Sequence, residues 1–210
     1  MSDINSEKTT HVYYNRDVDI DEFYVRDEFA NVVKSTKKVY NHALECFAGH
    51  GAIGFNILDE RLVNKLSLVD IYQPAIDFCQ QTIKENNIAD KCTTYCSGTL
   101  NIGFADKFDL VIGNPPWRGE VTNDVDTVNH VEHQLRKKVD PGWSAHNDFY
   151  EYINSITTLD VDIFLYEDIR FTTVDTFSTL ITNAGLYVEN VINDFGVGKT
   201  GYVIHMKKII

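Results

Sequence analysis

"LECFAGHGAIGF", residues 44–55, places Gly49, Gly51 and Gly54 at the spacing G-x-G-x-x-G. The three glycines follow an apolar, β-rich run and open a segment with helical periodicity. Glycine permits a tight turn there and lets the backbone approach a ligand beneath the N-terminus of a helix. The stretch therefore predicts the first strand, turn and helix of an α/β fold that binds a nucleotide-like ligand.

Two acidic residues around this turn indicate the type of ligand. Asp70 comes nineteen residues after Gly51, at the end of the next predicted strand, where a carboxylate can accept hydrogen bonds from both hydroxyls of a ribose. Glu45 lies four residues before Gly49, and a carboxylate there repels a pyrophosphate but attracts an ammonium group. S-adenosylmethionine carries both adenosine and an ammonium group. The pattern therefore favours a methyltransferase over a nicotinamide or flavin enzyme, with a purely structural turn as the remaining alternative.

The rest of the chain alternates short β-rich runs with helical patterns, which is typical of a parallel sheet covered by helices. The spacing of apolar residues predicts helices over 51–64, 74–87 and 173–185. Only the turn around "DFGVGKTG", residues 194–201, separates the last two strands, so we expect an antiparallel hairpin there. The prediction is a Rossmann-like, mostly parallel sheet of seven strands, over 42–47, 66–71, 92–96, 108–113, 161–166, 186–193 and 201–207.

The N-terminal part differs from this pattern. "DIDEFYVRDEFANVVKSTKK", residues 19–38, brings Phe23, Val25, Phe29 and either Val32 or Val33 near one helical face. We therefore predict that residues 1–40 form a helical extension that packs on the core, and that residues 41–210 form the catalytic domain.

Composition narrows the protein class. The 210 residues include 43% hydrophobic and 24% charged side chains, which is ordinary for one globular domain. The net charge of −12 opposes long-range attraction to a phosphate backbone. No stretch has the length of apolar sequence that a membrane span or a secretory signal requires, so a cytoplasmic protein with no membrane partner is expected. The four cysteines show no CxxC pair and are expected to be reduced thiols.

The chain resembles the class I S-adenosylmethionine-dependent methyltransferases from about residue 20 to its C-terminus. "LECFAGHG", residues 44–51, resembles the first motif of that family, and "LSLVDIYQPAI", residues 66–76, resembles the second. Many relatives carry an acidic residue after strand three that meets the adenine amino group, whereas this chain offers the hydroxyls of Ser97 or Thr99. The resemblance implies S-adenosylmethionine as cofactor: the methionine end is lined by Glu45, Phe47, Ala48, Gly49 and Gly51, the ribose is bound by Asp70, and the adenine packs on Ile71.

A second motif, Asn114-Pro115-Pro116-Trp117, ends the predicted strand over 108–113. We expect this strand beside the glycine-turn strand, which would bring Asn114 to the cofactor as well. The Asn114 side-chain oxygen and the Pro115 carbonyl can accept both hydrogens of a planar NH₂ group, whose nitrogen is a poor nucleophile because its lone pair is delocalised. The prolines fix φ near −65° and so position these oxygens, and Trp117 offers a flat face for a planar acceptor. The four residues are the predicted catalytic set.

The [DN]-P-P-[FYW] pattern is similar to two families, the release-factor glutamine methyltransferases and the N6-adenine methyltransferases. "SAHNDFYEYINSI", residues 144–156, resembles a segment of the glutamine group, and "EFYVRDEFANVV", residues 22–33, is placed like a motif of the adenine group. We favour a protein glutamine amide as acceptor, with adenine in DNA or RNA as the alternative and a small molecule or another amine less favoured. The partner is thus a protein or nucleic acid, with an activating subunit as a further expectation. A catalytically silent partner subunit is the second alternative.

The segment from Arg118 to Asn147 is expected to form the substrate-facing wall. It contains His130, His133 and His146, for which a solvated helix face is favoured over a metal site, so no metal is predicted. Trp143 follows "DPG" and is expected to anchor a loop.

Overall fold

The structure, a computed structural model, describes residues 10–13, 21–119 and 139–210. Predictions for other positions, His130 and His133 among them, lie outside the described residues. Five α-helices and seven strands are present in the described part of the chain: α1 Asp21–Ser35, β1 Tyr40–Cys46, α2 Ala52–Asp59, β2 Val63–Asp70, α3 Gln73–Asn86, β3 Cys92–Cys96, β4 Phe108–Gly113, α4 Ser144–Ile156, β5 Thr157–Asp168, α5 Val174–Asn183, β6 Leu186–Phe195 and β7 Gly201–Lys208.

The seven strands form one sheet in the order β3-β2-β1-β4-β5-β7-β6. Neighbours from β3 to β5 are parallel, and β7 runs antiparallel to both β5 and β6. The predicted mostly parallel sheet with a C-terminal antiparallel hairpin is therefore confirmed. The chain leaves β1 toward β2 on one side and returns to β4 on the other, so the strand order reverses between β1 and β4. In such sheets the ligand crevice lies beyond the carboxyl ends of the strands at this point.

Several strand bounds match the sequence pattern, while one helix prediction is wrong at its end. The helix predicted over 51–64 stops at Asp59, and Val63 already pairs with Tyr40 of β1. Arg61 has φ of 57°, in the left-handed region, which turns the chain between α2 and β2. The apolar pair Leu62 and Val63 fits a helical face as well as a buried strand, so periodicity alone could not separate them.

Both faces of the sheet are covered, as alternation along its strands requires. In β4, Leu110 packs with α1, α2 and α3 on one face, and its neighbour Val111 packs with α4 and α5 on the other. Phe29 of α1 is fully buried and meets the ring of Phe195 edge-on at 5.4 Å. Val25, Val32 and Val33 are buried with it. The helix thus belongs to the core packing, while the domain boundary at residue 40 stays a prediction; the side chain of Phe23 lies outside the described part.

Candidate active site

A cleft of about 290 Å³ opens at the carboxyl ends of β1 to β4, where the strand order reverses. It gathers residues from both predicted motifs. Nine of the predicted site residues line it: Phe47, Gly49, Asp70, Ile71, Ser97, Thr99, Asn114, Pro115 and Pro116. Glu45, Ala48, Gly51 and Trp117 do not belong to its lining among the described residues.

The glycine turn between β1 and α2 forms the first wall of the cleft. Gly49 and Gly51 have φ of 50° and 74°, and α2 begins at Ala52 directly afterwards. A Cβ on Gly51 would lie 2.7 Å from Cε2 of Phe55, so both the backbone conformation and the space require glycine. The Gly51 N–H donates to the Ala48 carbonyl at 2.7 Å, which closes the turn. The backbone is thereby brought to the cleft with no side chain in the way.

Asp70, the last residue of β2, holds this turn and faces the cleft. Its Oδ2 accepts the Gly49 N–H at 2.8 Å, and its Oδ1 accepts the Tyr72 N–H at 2.8 Å. Burial raises the pKa of this carboxyl, and the backbone N–H groups oppose that rise. Each carboxylate oxygen has a second lone pair. Asp70 therefore keeps acceptor capacity for a hydroxyl pair.

Glu45 lies behind the turn and beneath the first turn of α2. Its Oε2 accepts the Gly54 N–H at 2.8 Å, and its side chain is buried. Burial raises the pKa of this carboxyl to about 8. The contact of Glu45, Ala48 and Gly51 with the methionine end of the cofactor stays a prediction.

The loop after β3 forms the adenine side of the predicted site. Ile71 is 53% exposed at the cleft and packs on Gly98, where a Cβ would lie 2.9 Å from Ile71 Cδ1. Ser97 Oγ donates to the Thr99 carbonyl at 2.8 Å. Thr99 Oγ1 donates to Asp148 Oδ1 at 2.5 Å, and the Leu100 N–H donates to Asp148 Oδ2 at 2.8 Å. Asp148, which the sequence did not single out, thus clamps this loop from α4.

Asn114 enters the cleft because β4 pairs with β1 in parallel. Gly113 lies opposite Cys46, and a Cβ on Gly113 would lie 3.4 Å from Cδ2 of Phe47. The acceptor motif, Asn114 to Trp117, therefore begins beside the end of β1, where the glycine turn also starts. The indole Nε1–H of Trp117 donates to Asn114 Oδ1 at 3.1 Å. Trp117 is 9% exposed, and its ring meets Tyr166 edge-on at 5.9 Å.

The N-terminal end of α4 forms the far wall. Val139, Asp140, Ser144 and Ala145 line the cleft, and the Asp140 N–H donates to the Arg118 carbonyl at 2.8 Å. Arg118, the first residue of the segment predicted as a substrate-facing wall, is thus joined to Asp140 within the same segment. Trp143 packs edge-on against Phe177 at 5.2 Å, in agreement with an anchoring role.

The prediction that His146 lies on a solvated helix face is wrong, because His146 is fully buried. Its Nδ1 lies 2.7 Å from Asp140 Oδ2 and its Nε2 lies 2.9 Å from Glu167 Oε1. Burial alone lowers the pKa of this imidazole, but the two carboxylates outweigh it and raise the pKa to about 9. Asp140 also accepts the Ala145 N–H at 2.8 Å and caps α4. An acid four residues before the helix start is the local signal that could have revealed this cap.

The charges of the cleft discriminate between a ligand that carries a pyrophosphate and S-adenosylmethionine. Its charged lining side chains are Asp70, Asp140 and Asp148, with no Lys or Arg among the described residues that line it. A pyrophosphate would meet only like charge there, whereas the sulfonium and ammonium groups of S-adenosylmethionine meet opposite charge. The residues present therefore fit S-adenosylmethionine. Within the described ranges, no group of His, Cys, Asp or Glu side chains is arranged to hold a metal ion, and no helix has the length and apolar character to span a membrane.

Solved structures share this fold. The chain superposes on a ribosomal protein L11 methylase from Lactobacillus delbrueckii subsp. bulgaricus with a TM-score of 0.61 and 10% identity, over 94% of this chain and 81% of that one. A putative RNA methyltransferase from Pyrococcus horikoshii gives 0.61 at 16% identity, over 88% and 84% of the two chains. The N-methyltransferase NodS from Bradyrhizobium japonicum gives 0.62 at 11% identity, over 92% and 100%. These likenesses establish the fold alone.

A relative of assigned activity is similar in sequence. The ribosomal protein uL3 glutamine methyltransferase of Francisella tularensis subsp. tularensis (strain SCHU S4) is 28% identical over 112 residues. The aligned part is 52% of this chain and 34% of the relative, so the match spans about a third of that protein.

Fold, cleft and relatives together define a class I S-adenosylmethionine-dependent methyltransferase, and S-adenosylmethionine is its cofactor. Within that class, the chain belongs to the methyltransferase small domain family, whose model matches residues 29–143, more than half of its length.

Proposed function

We propose that this methyltransferase modifies the side-chain amide of a protein glutamine. The observation that carries the proposal is that both motifs border one cleft, which Asn114 and Pro115 line together with Gly49 and Asp70. An acceptor held by Asn114 would then be next to the bound cofactor. We infer that Gly49, Asp70 and Ile71 hold the cofactor and that Asn114 and Pro115 hold the acceptor.

The proposed task of Asn114 and Pro115 is orientation. An amide nitrogen has its lone pair delocalised, so it attacks only if its two hydrogens are held and the lone pair is aimed. The Asn114 side-chain oxygen and the Pro115 carbonyl supply two acceptors for these hydrogens. Pro115 and Pro116 restrict φ, so the acceptors lose little entropy when the substrate binds.

S-adenosylmethionine supplies, when bound, a methyl group on a sulfonium that leaves as a neutral thioether. The chain therefore needs no strong base before transfer, and the amide proton can leave afterwards. Asp140, although it lines the cleft, is poorly suited as a base. Its carboxylate already receives donors from Ser144 Oγ, from the Ala145 and His146 N–H groups and from the His146 ring.

Two observations support a protein amide over adenine. The sequence relative acts on ribosomal protein uL3 and is named a glutamine methyltransferase. The net charge of −12 and the three aspartates of the cleft disfavour a polyanionic substrate. A protein substrate, with an activating subunit where one is required, is consistent with both.

The proposal is tested by offering tritiated S-adenosylmethionine to the purified chain with ribosomal proteins, tRNA, rRNA and unmethylated DNA in parallel. Label in N5-methylglutamine after digestion of the protein pool is the expected result. Label in N6-methyladenine would overturn the glutamine proposal and assign the adenine activity instead.

Two variants separate binding from transfer. We expect Asp70→Ala to remove calorimetric binding of S-adenosylmethionine because the turn and the ribose lose their common acceptor. We expect Asn114→Ala to keep binding and to abolish transfer. Binding without transfer to any pool by the wild type would point to a catalytically silent partner subunit.

A further inference from the structure

We propose that Trp117 is a positioning residue that orients the Asn114 amide through its indole N–H, and that it is not a stacking platform for the acceptor. The inference rests on the proposed function, in which the Asn114 oxygen accepts a hydrogen from the acceptor NH₂ group.

The donor chemistry of the indole makes the contact directional. The Nε1–H of Trp117 lies 3.1 Å from Asn114 Oδ1. An indole N–H can only donate, so its partner must be the amide oxygen and cannot be the amide NH₂. The two ends of an asparagine amide have nearly the same shape, and an amide without such a partner can turn over and exchange oxygen for nitrogen. Trp117 therefore selects one of the two amide orientations.

The packing of Trp117 argues against a stacking role. Trp117 is 9% exposed and does not line the cleft, and its ring meets Tyr166 edge-on at 5.9 Å. Tyr166 is itself buried and packs at 5.8 Å on Phe195, which contacts α1 through Phe29. The indole is thus anchored in the core, and its polar edge is turned toward Asn114.

The lone pairs of the Asn114 side-chain oxygen link this contact to methyl transfer. The oxygen has two lone pairs: the indole N–H binds one, and the other is left for the acceptor. If the amide turned over, its NH₂ group would face the NH₂ group of the acceptor, donor against donor. Loss of the indole donor would therefore reduce the fraction of chains with a competent acceptor site, while the cofactor turn on β1 would be unaffected.

The hydrogen bond itself is tested by NMR, without any substrate. Protein labelled with ¹⁵N-tryptophan has two indole N–H signals, from Trp117 and Trp143, and Trp117→Phe assigns them by loss of one. We expect Asn114→Ala to accelerate hydrogen exchange of the Trp117 indole at least tenfold, whereas Asn114→Asp, which retains an acceptor oxygen, keeps exchange within about twofold. An unchanged exchange rate in Asn114→Ala would overturn the inference.

The role in transfer is tested by replacing Trp117 with β-(3-benzothienyl)alanine, which keeps the shape of the ring and exchanges the N–H for sulfur. We expect kcat to fall at least fivefold and the Kd for S-adenosylmethionine to stay within twofold. An unchanged kcat would overturn the inference, because stacking and packing survive this exchange. If the wild type transfers no methyl group to a protein amide, the proposed function fails, whereas the exchange experiment still decides whether the bond exists.

Discussion

The Oε2 of Glu45 accepts the backbone N–H of Gly54 at 2.8 Å and so joins β1 to the first turn of α2. The approach is this close because Gly54 has no side chain: a Cβ there would lie 2.3 Å from Glu45 Oε2 and 2.9 Å from Leu66 Cδ1. Gly54, the third glycine of the G-x-G-x-x-G pattern, is therefore required by packing beneath α2.

Gly54→Ala should accordingly destabilise the protein. We expect the free energy of unfolding to fall by about 2 to 3 kcal/mol, because overpacking and the loss of a buried hydrogen bond act together. Urea denaturation at pH 7 measures the change. Gly103→Ala is the control: a Cβ there meets no atom within 4 Å, but φ is 68°, so a loss of only about 1 kcal/mol is expected. Equal losses in the two variants would contradict the packing argument.

Glu45 should make stability depend on pH. Burial raises the pKa of this carboxyl from 4.5 to about 8, so the folded state holds the proton more tightly than the unfolded state. The wild type should lose stability as pH rises from about 4.5 to about 8, with a slope near 1.4 kcal/mol per pH unit for this one group. Glu45→Gln should lack this contribution, so its stability relative to the wild type should be higher at pH 8 than at pH 4.5. Urea midpoints across the range measure the difference, and parallel profiles would refute the assignment.

His146 should also make stability depend on pH, but over a different pH range from Glu45. Its pKa is raised from 6.5 to about 9, so the stability from its two carboxylate partners is fully present below pH 6.5 and is lost as pH rises through 9. We expect His146→Phe to cost about 3 to 5 kcal/mol at pH 6, since it leaves Asp140 and Glu167 buried without their cation. The cost should shrink at pH 9.5. Phe177→Leu removes the ring that stacks on His146 at 4.4 Å and should show no such pH dependence.

Phe47 should matter more for transfer than for folding. It has φ of 57°, a left-handed conformation that costs a bulky residue about 1 to 2 kcal/mol, and its ring lies 6.3 Å from that of Phe149 in the cleft. In Phe47→Gly the relief of strain should offset the lost contacts, so unfolding free energy changes by less than about 1 kcal/mol. Methyl transfer should fall at least tenfold.

The matched control for Phe47 is Phe104→Ala. Phe104 packs edge-on between Tyr95 and Phe108, outside the cleft lining. The Phe104→Ala variant should lose about 2 to 3 kcal/mol of unfolding free energy and keep kcat within about twofold. If Phe47→Gly lost as much stability as Phe104→Ala and kept its methyl transfer, the result would contradict the roles expected for the two residues.

Much of this fold is predictable from local pattern. The strands over 92–96 and 108–113 have the predicted bounds, because composition and turn residues on both sides delimit them. The end of α2 was not predictable, since Leu62 and Val63 satisfy two periodicities. Asp148 was not predictable either: it binds Thr99, 49 residues away in the chain, and nothing near either residue signals that contact.

By itself, the sequence determined the α/β fold, the glycine turn with Asp70 and the motif from Asn114 to Trp117, because periodicity, positive φ and proline geometry are properties of neighbouring residues. Only the tertiary structure decided that Glu45 lies behind the turn, that His146 is buried between Asp140 and Glu167, and that the indole of Trp117 faces Asn114. Those relationships depend on which side chains distant segments bring together when the sheet forms. Local sequence does not encode such partners.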